Sequence, residues 1–213
     1  MWDKLEEPWQ ACFELGWTSF KKGSIPIGAV VVDVKGKIIA RGRNRLYESE
    51  REAGEIAGHK LSHAELNALL KVNESDYPNI RQFSLYSTTE PCPLCFGALV
   101  MANVRNLKFA ARDRYAGGTN LNNKNKYIAG KNIHIAGPFP DLEKVQITLH
   151  TAYELIKGHH SERIFEAWKI DCLEAVESGI KLFRDKTLQK LKEKDAPVSE
   201  VFELIGAIHN INL

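Results

Sequence analysis

Four side chains carry the chemistry legible in this sequence. His63 and Glu65 stand two residues apart, and Cys92 and Cys95 three apart. Residues three apart share a helix face, so the two cysteine sulfurs reach one ion. His63 and Glu65 diverge on an ideal helix, so both serve one site only if that site lies at a helix end. His63, Cys92 and Cys95 supply three ligands, and no second C-x-x-C pair exists to supply a fourth. A structural zinc site is closed by four protein groups, whereas a catalytic one keeps a position for water. The set therefore predicts catalytic zinc, a Lewis acid that acidifies water. Glu65, beside the metal but not ligating it, then takes that proton, delivers it to a ring nitrogen and later to a departing amine.

Each residue also has a plainer explanation when taken singly. His63 alone is an ordinary polar residue, and Glu65 alone completes a capping box with Ser62. Cys92 and Cys95 alone fit a thioredoxin-like redox pair, which leaves the neighbouring His-Ala-Glu without a role. The four together are much more specific than any of them apart.

The elements that must position these residues follow from periodicity. Trp9, Phe13, Trp17 and Phe20 at helical spacing behind Pro8 predict an amphipathic helix over 8–22, its aromatics in the core. The β-branched run 27–34, the Lys35-Gly36 turn and the extended segment 37–40 predict a hairpin. Segment 44–61 is polar and predicts a loop. A helix is expected from Ser62 to about Val72, with Leu66, Leu69 and Leu70 on its buried face. Strands are expected at 83–87, 107–111 and 133–136, and a helix rich in small residues at 93–102. The interval 112–131 is rich in Gly, Asn and Lys and is long for a simple connection, which marks a functional loop. Five strands interleaved with helices predict an α/β sheet covered on both faces. Beyond residue 140 only helices are expected, at about 141–157, 161–190 and 197–209. This divides the chain into a core, 1–140, and a helical extension, 141–213, packed on it.

Composition narrows the class. The chain has 213 residues, 44% of them hydrophobic, enough to bury a core without disulfides. A formal charge of +2 demands neither nucleic acid nor an anionic membrane as partner. The lysine-rich segment 181–194 is read as a solvated helix face, a nucleic-acid contact being its alternative. There is no membrane-length apolar run and the N-terminus is acidic, so a cytoplasmic protein is expected. Cys12 and Cys172 stand far from the close pair and are expected as buried small hydrophobes.

At the metal residues the sequence resembles the cytidine deaminase superfamily of zinc deaminases, with its H-x-E and P-C-x-x-C signature. Blocks 26–32 (PIGAVVV), 42–44 (GRN), 63–65 (HAE), 89–95 (TEPCPLC) and 110–113 (AARD) are similar to the branch containing guanine deaminases, cytosine deaminases and tRNA adenosine deaminases. The resemblance covers about residues 8–140. It implies a three-layer α/β/α sandwich with a mixed five-stranded sheet, followed here by a C-terminal helical extension. It also implies hydrolytic loss of ammonia from an amino-substituted purine, pyrimidine or related heterocycle, free base or nucleoside. By the same likeness His63, Cys92 and Cys95 bind Zn2+ and Glu65 shuttles protons. Asn44 binds base or sugar, a turn role being its alternative, and the backbone around Ala29 and Ala64 lines the base pocket. Glu90 is expected to orient the cysteine loop. Asp113 is expected either to touch the exocyclic amine or to anchor its loop with Arg112. The family commonly forms dimers, so a homodimer is implied.

Two other functions compete with a small-heterocycle deaminase. A tRNA adenosine deaminase making inosine shares the motif blocks but ends soon after the last core helix. A catalytically silent zinc-binding module would hold the metal and release nothing. An extension folded over the pocket favours a small enclosed substrate, whereas segment 181–194 beside an open groove favours RNA.

Overall fold

The computed structural model describes residues 1–50, 52–158 and 161–211. Its centre is a five-stranded sheet: β1 (Gly28–Val32), β2 (Ile38–Arg43), β3 (Ser84–Thr89), β4 (Asn106–Ala111) and β5 (His134–Ala136), in the order β2-β1-β3-β4-β5. β1 pairs antiparallel with β2 and β3, while β3, β4 and β5 run parallel, so the sheet is mixed. The β1–β2 hairpin turns where Gly36 takes a φ of 81° and the Asp33 carboxylate accepts from the backbone N–H of Lys35 and Lys37.

Every residue of β1 is buried, because both sheet faces are covered. Val30 and Val32 point to a core shared with α1 (Glu7–Lys21). Ala29 and Val31 point the other way, to a core shared with α2 (Ala64–Leu69) and α3 (Pro93–Met101). Trp9, Phe13, Trp17 and Phe20 of α1 all lie in the first core. Two short helices, α4 (Leu121–Lys124) and α5 (Lys126–Ala129), occupy the long interval before β5.

The C-terminal helices are α6 (Pro140–Lys157), α7 (Glu162–Arg184), α8 (Thr187–Glu193) and α9 (Val198–Ile208). Val145 and Leu149 of α6 join the same core as α1 and the sheet, as do Leu188, Leu191 and Phe202. The indole N–H of Trp17 donates to the Ala196 carbonyl across this core at 2.8 Å.

Three expectations need correction. The helix expected from Ser62 to Val72 is only Ala64–Leu69, and His63, not Ser62, is its N-cap residue. Leu70 is exposed and Leu66 half-buried; the buried face is carried by Ala64, Asn67, Ala68 and Leu69. The reason lies in β2: a Cβ on Gly42 would sit 2.2 Å from Ala68 N and 2.3 Å from Ala64 O. Helix and strand backbones approach so closely that only small side chains fit between them. Finally, the single helix expected over 161–190 is two, divided where Lys186 adopts a left-handed φ of 54°. The backbone also leaves helical geometry at Cys172 within α7. No helix among the described residues is long and apolar enough to cross a membrane.

Candidate metal centre

β3 and β4 end side by side, and the chain leaving β3 turns straight into α3. Cys92 is the N-cap residue of α3, Pro93 starts it, and Cys95 follows in its first turn. His63 occupies the equivalent place at the start of α2. Both helices present their positive N-terminal ends, which favour thiolate at the cysteines. The site thus lies at helix ends and beyond the carboxyl ends of strands.

The three ligand atoms of His63, Cys92 and Cys95 lie within 4.8 Å of one another. Nδ1 of His63 is 3.5 Å from the Cys92 sulfur and 3.4 Å from the Cys95 sulfur. Tetrahedral zinc with ordinary bond lengths gives an S–N edge of roughly 3.6 Å. The side chains therefore already stand close to the spacing the ion requires. No other group of three such residues was found among the described residues.

The charges fit the same purpose. The Cys92 thiol is held down at about 4, chiefly by a hydrogen bond from Cys95, with His63 adding to it against the cost of burial. The same hydrogen bond and burial push the Cys95 thiol up, so without metal the pair shares one proton. His63 is raised by its bond to Cys92. Glu65 is raised too, mainly because it is buried, with the His63 charge opposing.

Glu65 takes no part in a capping box. Ser62 Oγ accepts from His59 N, and Glu65 Oε1 accepts from Ser87 Oγ at 3.1 Å. Ser87, at the buried centre of β3, was not singled out from sequence; its place beside Glu65 depends on strand register.

Glu90 ties the cysteine loop to the segment after β4. Its Oε2 accepts from Asp113 N at 3.2 Å, and its Oε1 accepts from both the backbone N–H and the hydroxyl of Thr119. Arg112 stands 3.7 Å from the same carboxylate. Asp113 Oδ1 accepts from Tyr115 N and Ala116 N, which makes it a loop anchor. A Cβ on Gly118 would fall 2.6 Å from Pro93 N, so the loop lies directly against the start of α3.

A cavity of about 230 Å³ opens over these residues. His63, Glu65 and Cys92 line it, with Asn44, Thr89, Asp113 and Tyr115. Ile25 and Ile27 give it an apolar wall. Asn44 fills its turn role, accepting from Leu46 N at 3.0 Å, and lines the cavity as well. Ala29 and Ala64 are fully buried in the core under the sheet and do not line the cavity themselves, although Glu65 and His63, neighbours of Ala64, do.

Sequence reasoning missed the contribution of the C-terminal helices. His150 and Glu154 of α6, and Ile164 and Trp168 of α7, complete the lining. Helical periodicity marks them as core-facing, and nothing local says which core. The lysines of segment 181–194 are exposed and none lines the cavity.

The chain is 38% identical over 108 residues to the tRNA-specific adenosine deaminase of Bacillus subtilis, covering 48% of this chain and 60% of that protein. It is 32% identical over 116 residues to the tRNA(Ile)-lysidine synthase of Deinococcus radiodurans, covering 54% of this chain and 19% of that protein. The chain thus spans about three fifths and about one fifth of these curated relatives. In fold it is similar to the guanine deaminase of Nitrosomonas europaea, with a TM-score of 0.56, 23% identity, and coverage of 70% of this chain and 84% of that one. Residues 3–111 match the family described as the cytidine and deoxycytidylate deaminase zinc-binding region. With His63, Cys92 and Cys95 converging at two helix N-termini within that matched stretch, the chain belongs to the zinc deaminases of the cytidine deaminase superfamily.

Proposed function

We propose that this chain hydrolytically releases ammonia from a small amino-substituted purine, pyrimidine or related heterocycle, as free base or nucleoside. The observation that carries the proposal is the cavity. At about 230 Å³ it is smaller than the pockets that take drug-sized ligands. His63, Cys92 and Glu65 line it, and helices from the C-terminal third of the chain close it.

His63, Cys92 and Cys95 would hold zinc, which would lower the pKa of water toward neutrality. Glu65 carries the protons. Its buried carboxyl accepts one more readily than an exposed carboxylate and returns it to the ring nitrogen and the leaving amine. Ser87 fixes the orientation of that carboxyl. Asn44 hydrogen-bonds the substrate, and the isoleucines hold a flat ring and exclude water. A homodimer, by family resemblance, and a cytoplasmic location, by cysteine usage, belong to the same proposal.

A second reading, adenosine deamination in tRNA, is favoured by the 38% identity to a protein of that name. The cavity argues against it. Glu65, Glu90, Asp113 and Glu154 line it, and no lysine or arginine among the described residues does, which suits a neutral heterocycle better than a phosphate backbone.

The test is an ammonia-release screen over aminopurines, aminopyrimidines, pterins and their nucleosides, with bulk tRNA assayed for inosine. Release from at least one small compound is expected. Glu65→Ala is expected to lower it about 10²- to 10⁴-fold while zinc stays stoichiometric. Full turnover in Glu65→Ala would remove that residue from the mechanism. Inosine in tRNA with no small-molecule turnover selects the second reading. Bound zinc with no product from anything identifies a silent module.

A further inference from the structure

His150 and Trp168 meet across the interface of α6 and α7, their ring centroids 4.6 Å apart. Both line the cavity, and both are more than nine-tenths buried. Yet Trp168 Nε1 and His150 Nδ1 have no hydrogen-bond partner among the described residues. Two buried polar atoms on neighbouring rings, both left unsatisfied, are costly. Buried polar groups without protein partners at a cavity wall point to a ligand that supplies them.

The chemistry of these atoms limits that ligand. An indole Nε1–H only donates. Nε2 of His150 faces Glu154 Oε1 at 3.5 Å. A proton on that nitrogen is favoured by the carboxylate charge, which leaves Nδ1 as an acceptor. The ligand must therefore show an acceptor to Trp168 and, beside it, an N–H to His150. A free base has such a pair at the edge where a sugar would attach, the N9–H beside N3 in a purine or the N1–H beside O2 in cytosine. Attaching a sugar to a ring nitrogen removes one N–H and adds bulk in a cavity of about 230 Å³.

We propose that Trp168 and His150 are specificity-determining residues that read an acceptor and an adjacent N–H on a free base, so that the substrate is the base and not its nucleoside. This rests on the deaminase reading above and narrows it. Ile164 from the same helix adds apolar contact beside them. The selection thus comes from helices outside the stretch that matches the family.

The experiment uses the zinc-loaded 213-residue chain and three probe pairs: guanine and guanosine, adenine and adenosine, cytosine and cytidine. Turnover is measured by ammonia release. Binding is measured with the inactive Glu65→Gln protein by the ¹⁵N–¹H resonance of the Trp168 indole, assigned with Trp168→Phe. One free base is expected to shift that resonance and to be preferred over its nucleoside by about a hundredfold. Trp168→Phe, which keeps a ring but loses the N–H, is expected to raise KM for that base about tenfold with kcat nearly unchanged. His150→Asn is expected to act in the same direction. A packing role would instead lower melting temperature and kcat together and leave base-over-nucleoside preference intact. The proposal is overturned if nucleosides serve as well as bases, if no base moves the indole resonance, or if Trp168→Phe leaves KM unchanged. If bases bind at Trp168 but wild type releases no ammonia, the subsite stands and the deaminase reading fails.

Discussion

At the metal, two cysteines three residues apart do different jobs before zinc arrives. Cys92 is a thiolate at any pH well above about 4, whereas Cys95 keeps its proton, hydrogen-bonded to Cys92 and buried. Both must be thiolates to ligate zinc, so binding expels the Cys95 proton. His63 is raised by the same cluster, so wherever its ring is protonated it gives up a second proton. Zinc affinity is therefore expected to fall as pH falls, by at least about tenfold per unit. Competition titrations against a chelator of known pH dependence measure this. A flat affinity between about pH 6 and 8 would contradict the shared-proton arrangement. The ligands and Glu65 were legible because their types and spacing admit few other uses. Ser87, Trp168 and His150 were not, because each reaches the site through strand register or helix packing.

Among the elements, the segment between β2 and α2 shows how a polar stretch becomes rigid. Arg45 is fully buried and lies 3.3 Å from Glu48, 3.1 Å from Glu52 and 2.6 Å from Glu55. Arg43 also pairs with Glu48, and Lys71 with Glu55. Asn67 of α2 stitches the same loop through Ile56 and the Arg43 carbonyl. Asn44 sits between the two arginines, so this cluster holds it at the cavity. Burial alone would raise Glu48 and Glu55; the hydrogen bonds and charges of Arg43, Lys71 and Arg45 overcome it and hold both below the usual carboxylate range. A depressed folded value stabilises at pH above the unfolded value, and that stability is lost as pH falls through the folded one. Arg45→Ala leaves carboxylates buried without their partner and is expected to cost about 3 kcal/mol. Thermal melts at neutral pH check this. The difference from wild type should shrink in acid, where the carboxylates are protonated. No periodic pattern announces such a cluster, so from sequence it read only as a loop.

In the whole molecule the helices beyond residue 140 pack into the same core as the segment before it. Val145 and Leu149 of α6 share one core with Trp9, Val30 and Tyr86, and Phe202 of α9 stacks edge-on against Phe13 at 5.2 Å. A chain cut after residue 140 leaves one face of the sheet and much of α1 uncovered. It is expected to lose cooperative unfolding, with weak near-ultraviolet circular dichroism and a broad thermal transition. A sharp transition close to that of the full chain would instead mark residues 1–140 as an independent unit. The same helices line the cavity, so the part of the chain least similar to the family shapes what enters it.

From sequence alone come the metal-ligand set, the proposed proton carrier, the α/β class and the superfamily. Each depends on residue type at short spacing, where chain geometry leaves little choice. The inward face of α2, set by the close approach of Gly42, and the inward face of α7 were decided only when distant segments packed. The size and lining of the cavity belong with them, because the groups that bound it lie more than a hundred residues apart, from Ile25 to Trp168. A local pattern records which way a side chain faces along its own element, and not which other element it will meet.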